Sequence, residues 1–82
     1  MKRRKVIVVE ALTEQAVVAL RSGNRFQVRH DAIGDDDDLR RMLNRLAVIC
    51  GANIRANSFQ GLLTFYNDDS DYGTSVTVAM IE

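Results

Sequence analysis

The chain has no proline and no tryptophan, a single cysteine, a single histidine and only 6% aromatic residues. Each shortage removes a class of explanation. With Cys50 alone there is no internal disulfide, so a small oxidised scaffold is excluded and a reducing setting, the cytoplasm, is expected. One thiol and one imidazole cannot supply a zinc set of the usual Cys/His kind. No apolar run approaches the roughly 18 residues that span a bilayer, and the short run at residues 6–9 is closed by Glu10, so neither a membrane contact nor an export signal is expected. There is no proline-, glycine- or serine-rich linker and no internal repeat, so residues 1–82 are expected to form one domain around one core.

What is present is ordinary for a folded chain: 46% hydrophobic and 27% charged residues. Eleven cations balance eleven acids, yet the balance is uneven along the sequence. Residues 1–30 hold seven cations against Glu10 and Glu14, leaving +5, and residues 31–82 hold four cations against nine acids, leaving −5. Either the two portions fold together and neutralise one another, or they form separate patches that meet partners.

Hydropathy patterning predicts an α+β fold. Residues 5–11, β-branched on both sides, read as a central strand covered on both faces. Residues 13–21 fit either a short helix capped by Thr13 and stopped at Ser22-Gly23, or an additional strand. Residues 25–30 alternate, with Phe26 and Val28 inward and Arg25, Gln27 and Arg29 outward. The clearest element is an amphipathic helix over residues 36–50, where Leu39, Met42, Leu43, Leu46, Ala47 and Cys50 recur at spacings of three and four and Gly51 follows as a C-cap. A loop is expected around residues 53–57, and residues 62–66 and 75–81 read as a C-terminal hairpin, with Leu63, Phe65, Val76, Val78 and Met80 inward. The sum is a sheet of about four strands packed by one amphipathic helix, which a ferredoxin-like or a β-grasp-like layout would satisfy.

The candidate chemistry is thin. Consecutive acids Asp35, Asp36, Asp37 and Asp38 point in different directions on a forming helix, so they suit a helix N-terminus, with Asp36–Arg40 and Asp37–Arg41 spaced for i,i+4 pairing, better than a metal. Asn67, Asp69 and Asp71 fall on the first, third and fifth positions of a calcium loop, but Tyr72 stands where its glycine belongs and Val78 where its closing glutamate belongs. No metal and no cofactor are expected. Cys50, His30 and Asp31 offer a nucleophile, base and orienter by type alone, while Cys50 sits on the apolar stripe of the helix, where a thiol is inert. No catalytic residue is assigned and the chain is not expected to be an enzyme.

The residues that remain point to recognition. Asp35 to Asp38 with Asp68, Asp69 and Asp71 form a candidate acidic patch for a basic protein partner, and Val48, Leu62, Tyr66 and Ile81 are candidate apolar anchors. The expected function is a non-enzymatic protein-binding module or inhibitor; as a class, small domains without a reactive site resemble virus-encoded inhibitors of host or defence machinery, anti-CRISPR proteins among them. Two rivals stay open: a nucleic-acid-binding accessory protein in which Lys2, Arg3, Arg4, Lys5, Arg25 and Arg29 contact phosphate, and a homo-oligomer joined by opposite charges.

Overall fold

The computed structural model describes residues 2–69 and 75–81, with side chains from residue 9 onward. The chain runs α1 (Lys2–Arg21), β1 (Arg25–Arg29), a 3-10 helical turn (His30–Ala32), α2 (Asp36–Cys50), β2 (Ile54–Phe59), β3 (Leu62–Asn67) and β4 (Val76–Val78). The four strands form one mixed sheet in the order β2-β3-β1-β4. β3 is antiparallel to both β1 and β2, and β4 is parallel to β1. β1 and β2 are therefore parallel, with α2 as the crossover and β3 inserted between them. The α+β class stands; α1 ahead of β1 departs from both a ferredoxin-like and a β-grasp-like layout, and the parallel β1–β4 pair departs from the ferredoxin-like one.

Both helices lie on one face. The core joins Leu12, Ala16, Ala19 and Leu20 of α1, Met42 and Leu46 of α2, and Phe26, Val28, Ile54, Leu63 and Phe65 of the sheet, with Ile33 closing one end. The sheet residues in this set share one parity along each strand, which places all of them beneath the helices. No helix among the described residues is long and apolar enough to cross a membrane.

Helix α2 forms where its periodicity places it. The Asp35 side chain accepts the Asp38 N–H at 3.0 Å, and Gly51 ends the helix in a left-handed conformation. The strand expected over residues 5–11 is instead part of α1, and residues 13–21 are the helix of the two alternatives. The β-branched run misleads because the decisive pattern lies after it: Val9, Leu12, Ala16, Ala19 and Leu20 make one helical stripe against the core. A strand apolar on both sides needs two covered sheet faces, and this sheet has one. A Schellman motif ends α1, with the Gly23 N–H donating to Leu20 O at 3.1 Å and the Asn24 N–H to Ala19 O at 2.9 Å.

Two further expectations are corrected. Residues 53–57 are not a loop, because β2 begins at Ile54 and pairs with β3 through a two-residue turn in which Gln60 and Gly61 have φ of 51° and 79°, a type I′ geometry. Residues 62–66 and 75–81 are not a hairpin either. Both sides of β3 are taken, by β1 and β2, so β4 pairs with the remaining edge of β1. The strand is thereby turned over by one residue: Ala79 packs against the core, whereas Val76, Val78 and Met80 are exposed.

Truncating Phe65, which is fully buried, is expected to cost about 3–5 kcal/mol, a large part of the roughly 4–12 kcal/mol available to 82 residues. Val48→Ala, on a side chain 82% exposed, should stay within about 0.5 kcal/mol in the same urea titration. A Cβ at Gly61 meets nothing within 4 Å, so Gly61→Ala isolates the backbone penalty of the left-handed turn, about 1–2 kcal/mol.

Candidate functional site

Packing both helices on one side leaves the other face of the sheet uncovered. Alternation sends Arg55, Asn57 and Phe59 of β2, Leu62, Thr64 and Tyr66 of β3, Arg25, Gln27 and Arg29 of β1, and Val76 and Val78 of β4 to that face. The register sets them in rows. Arg55 lies opposite Tyr66; Asn57, Thr64, Gln27 and Val78 cross the middle of the sheet; Phe59, Leu62 and Arg29 form the far row. In the middle row Gln27 Nε2 donates to Thr64 Oγ1 at 3.3 Å. Phe59, 71% exposed, is the most accessible aromatic side chain on this face among the described residues. No acid and no lysine occupies any of these strand positions.

Two of the arginines are held at the rim by acids outside the strands: Arg29 Nη2 pairs with Asp31 Oδ2 at 2.7 Å and Arg55 Nε with Asp68 Oδ2 at 3.0 Å. Of these two ion pairs, Arg29–Asp31 joins neighbouring residues across the boundary between the cationic and anionic portions, and Arg55–Asp68 lies within the anionic portion. Beyond Arg29 the face deepens into an open groove of about 700 Å³, lined by Arg29, Asp31, Leu62, Val78 and Ile81 among others.

The structure divides the candidate acidic patch. Asp35, Asp36, Asp37 and Asp38 sit at the N-terminus of α2, whereas Asp68 and Asp69 lie beside the start of β2, past its C-terminus. Fifteen helical residues separate the groups, about 22 Å. The acids are also used locally: Asp69 Oδ2 accepts the Asn53 N–H at 3.1 Å, and Asp68 Oδ2 accepts from both Arg55 and Asn53 Nδ2. Asp36–Arg40 and Asp37–Arg41 are not among the closed ion pairs of the described residues. Asp71 lies outside the described residues.

The apolar anchors divide as well. Leu62 and Tyr66 are half-buried on the open face and Ile81 lines its groove, but Val48 is on the helix layer at the opposite side of the molecule, where Val18 and Ile49 are also exposed. Of the candidate phosphate contacts, Arg25 and Arg29 belong to the open face. Lys2, Arg3, Arg4 and Lys5 form the first turn of α1 and are not an extended arm; their side chains lie outside those described. His30 and Cys50 stand near opposite ends of α2, and Asp31 is paired with Arg29, so these three groups do not converge. Among the described residues no group of histidine, cysteine and acidic side chains is placed to hold a metal ion.

Arg55, Asn57 and Phe59 are the members of this face hidden by reading residues 53–57 as a loop. The signal that identifies them is Gln60-Gly61: a glycine-containing dipeptide between Phe59 and Leu62 defines a two-residue hairpin, and the alternation on either side then assigns both faces. Comparison of the chain with protein-family models, curated proteins and solved structures yields no match in any of the three.

Because the rim ion pairs are largely exposed, Arg29→Ala and Arg55→Ala should each lower stability by less than about 1 kcal/mol. Thermal and urea unfolding measure this directly. A loss of more than about 2 kcal/mol for either would show that the arginines hold the fold together and are not held out for a partner.

Proposed function

We propose that the chain is a non-enzymatic protein-binding module, with inhibition by occupation of a partner's surface as its mode of action, and that it binds through the open face of its sheet. The observation that carries this reading is the composition of a surface that the fold leaves bare. Three arginines, a tyrosine, a phenylalanine and aliphatic side chains occupy it, with amides and a hydroxyl between them and with no lysine, aspartate or glutamate. Protein interfaces are enriched in arginine and aromatics and depleted in lysine and acids, and their strongest contacts are Trp, Tyr and Arg anchors. A guanidinium offers five donors in a planar fork, so Arg29 and Arg55 can exchange their exposed intramolecular carboxylates for those of a partner at little net cost.

The partner that fits is a protein surface presenting carboxylates to the arginine rim and an apolar side chain to the groove between Leu62, Val78 and Ile81. This replaces the acidic patch as the expected contact, since its two halves lie at opposite ends of α2. A lone cysteine and the absence of any disulfide framework suit a reducing compartment such as the cytoplasm.

The test uses a partner captured from host extract, followed by affinities of variants for the purified complex. Arg55→Glu and Phe59→Ala should each weaken binding about 30-fold or more, the scale of a 2 kcal/mol anchor, while Val48→Asp on the helix layer should leave it unchanged. Binding lost with Val48→Asp and indifferent to the two sheet variants would overturn the assignment. So would salt-dependent retention of a mixed-sequence single-stranded oligonucleotide that requires Arg55 and Tyr66, which would make the face a nucleic-acid platform.

A further inference from the structure

The sheet is bordered by β4 on one side and β2 on the other, and the fold treats these two edges differently. β4 spans three residues, and just past it the Gln15 side chain takes both backbone groups of Met80: Nε2 donates to Met80 O at 3.0 Å and the Met80 N–H donates to Oε1 at 2.8 Å. Shortness and a polar cover are ordinary protections of a sheet edge. β2 has neither. It runs for six residues in unbroken register with β3, without lysine, proline or bulge.

Its backbone parity follows from the ladder. The Asp68 N–H donates to Asn53 O at 2.8 Å, and the two-residue turn makes Phe59 and Leu62 a bonded pair. Asn53, Arg55, Asn57 and Phe59 therefore direct their N–H and C=O groups toward β3, and Ile54, Ala56 and Ser58 direct theirs outward. Those outward groups have no hydrogen-bond partner among the described residues.

An apolar wall stands above this edge. Arg45 and Ile49 of α2 face α1, whereas Leu43, Ala47 and Cys50, spaced four and three apart on the other flank, are half-buried. Leu43 meets β2 in an open hollow of about 440 Å³ that also takes in Ala56, Arg55 and Tyr66. Leu43 and Ala56 lie on the helix side of the sheet and Arg55 and Tyr66 on its open face, so the hollow wraps round the border of β2.

We infer that β2 is the docking edge for an extended segment of the partner protein, which joins the sheet as a fifth strand; this deepens the proposed function and rests on it for the partner being a protein. An extended backbone fits because it presents donors and acceptors at the two-residue spacing of Ile54, Ala56 and Ser58. Alternation then assigns its side chains. Those on the helix side are apolar and cover Leu43 and Ala56. Those on the open face include an acid beside Arg55, whose guanidinium Asp68 otherwise holds at 3.0 Å in an exposed pair. A second copy of β2 contains no acid and offers Arg55 no carboxylate, so a foreign segment is the better complement.

The probe is a displayed library of random linear peptides of about twelve residues, enough to span the edge, selected against the full chain. Enriched sequences should alternate apolar and polar residues, with acids in the polar set. On saturation with such a peptide, the amides of Ile54, Ala56 and Ser58 should exchange hydrogen about tenfold more slowly or less, with those of Val76 and Val78 unchanged. Ala56→Pro removes one outward N–H and leaves the β3 ladder intact, so it should weaken the peptide about tenfold or more with an unchanged circular dichroism spectrum; exchange in the unaltered chain gives the reading if this variant fails to fold. No enrichment, a bound peptide that leaves the three amides unprotected, or a free chain that dimerises until Ala56→Pro is introduced overturns the inference. The proposed function fails separately: a captured partner indifferent to Arg55→Glu and Phe59→Ala, with the three amides still protected by peptide, overturns the open face and not the edge.

Discussion

Phe26 and Phe65 face each other across the two central strands with ring centroids 6.2 Å apart and no exposed surface, and the burial of this pair constrains most of the molecule. Two large rings on one side of a four-stranded sheet need apolar cover, and a chain this short has two helices to give. Both go to that side: α1 with Leu12 and Ala16, α2 with Met42 and Leu46. Nothing remains for the other side. The bare face is thus a consequence of one-sided burial, and its residues answer to something other than the core.

That consequence explains the mixed character of the exposed surface. A sheet face that met only water would carry polar side chains in clean alternation with the core. This one carries polar groups in its middle row, Gln27, Thr64 and Asn57, but arginine, tyrosine, phenylalanine and aliphatic residues around them. The acids that hold the arginines, Asp31 and Asp68, lie just beyond the strand ends, which keeps the guanidinium groups extended over the rim while the face itself stays free of negative charge. An arrangement of this kind costs the fold little and favours a partner that replaces the carboxylates.

Legibility from sequence followed locality. Helix α2 was readable to its last residue because a three-and-four spacing, an aspartate cap and a terminal glycine all act within a few residues of one another. The inward and outward assignments of Phe26, Val28, Leu63 and Phe65 were readable for the same reason, since alternation is a local property. Residues 5–9 were not, because their β-branched side chains favour a strand while the stripe of Val9, Leu12 and Ala16 that commits them to a helix acts through packing against a distant sheet. The partner of β4 was equally hidden: which edge is vacant depends on β2, a polar strand recognisable chiefly from the Gln60-Gly61 turn that follows it. The missed strand left Arg55 and Phe59 unseen, whereas the acids are divided by the length of α2 and Val48 lies on the outer side of that helix.

The open face belongs to a sheet covered on one side only, and its strand positions are uncharged or carry arginine. The most direct measurement of whether recognition resides there is nuclear magnetic resonance of the labelled chain titrated with its purified partner. Perturbed signals should fall on Arg25, Gln27, Arg29, Arg55, Phe59 and Tyr66, with Val18, Val48 and Ile49 silent. Perturbations confined to those three helix-layer residues, with the sheet side chains unmoved, would contradict it.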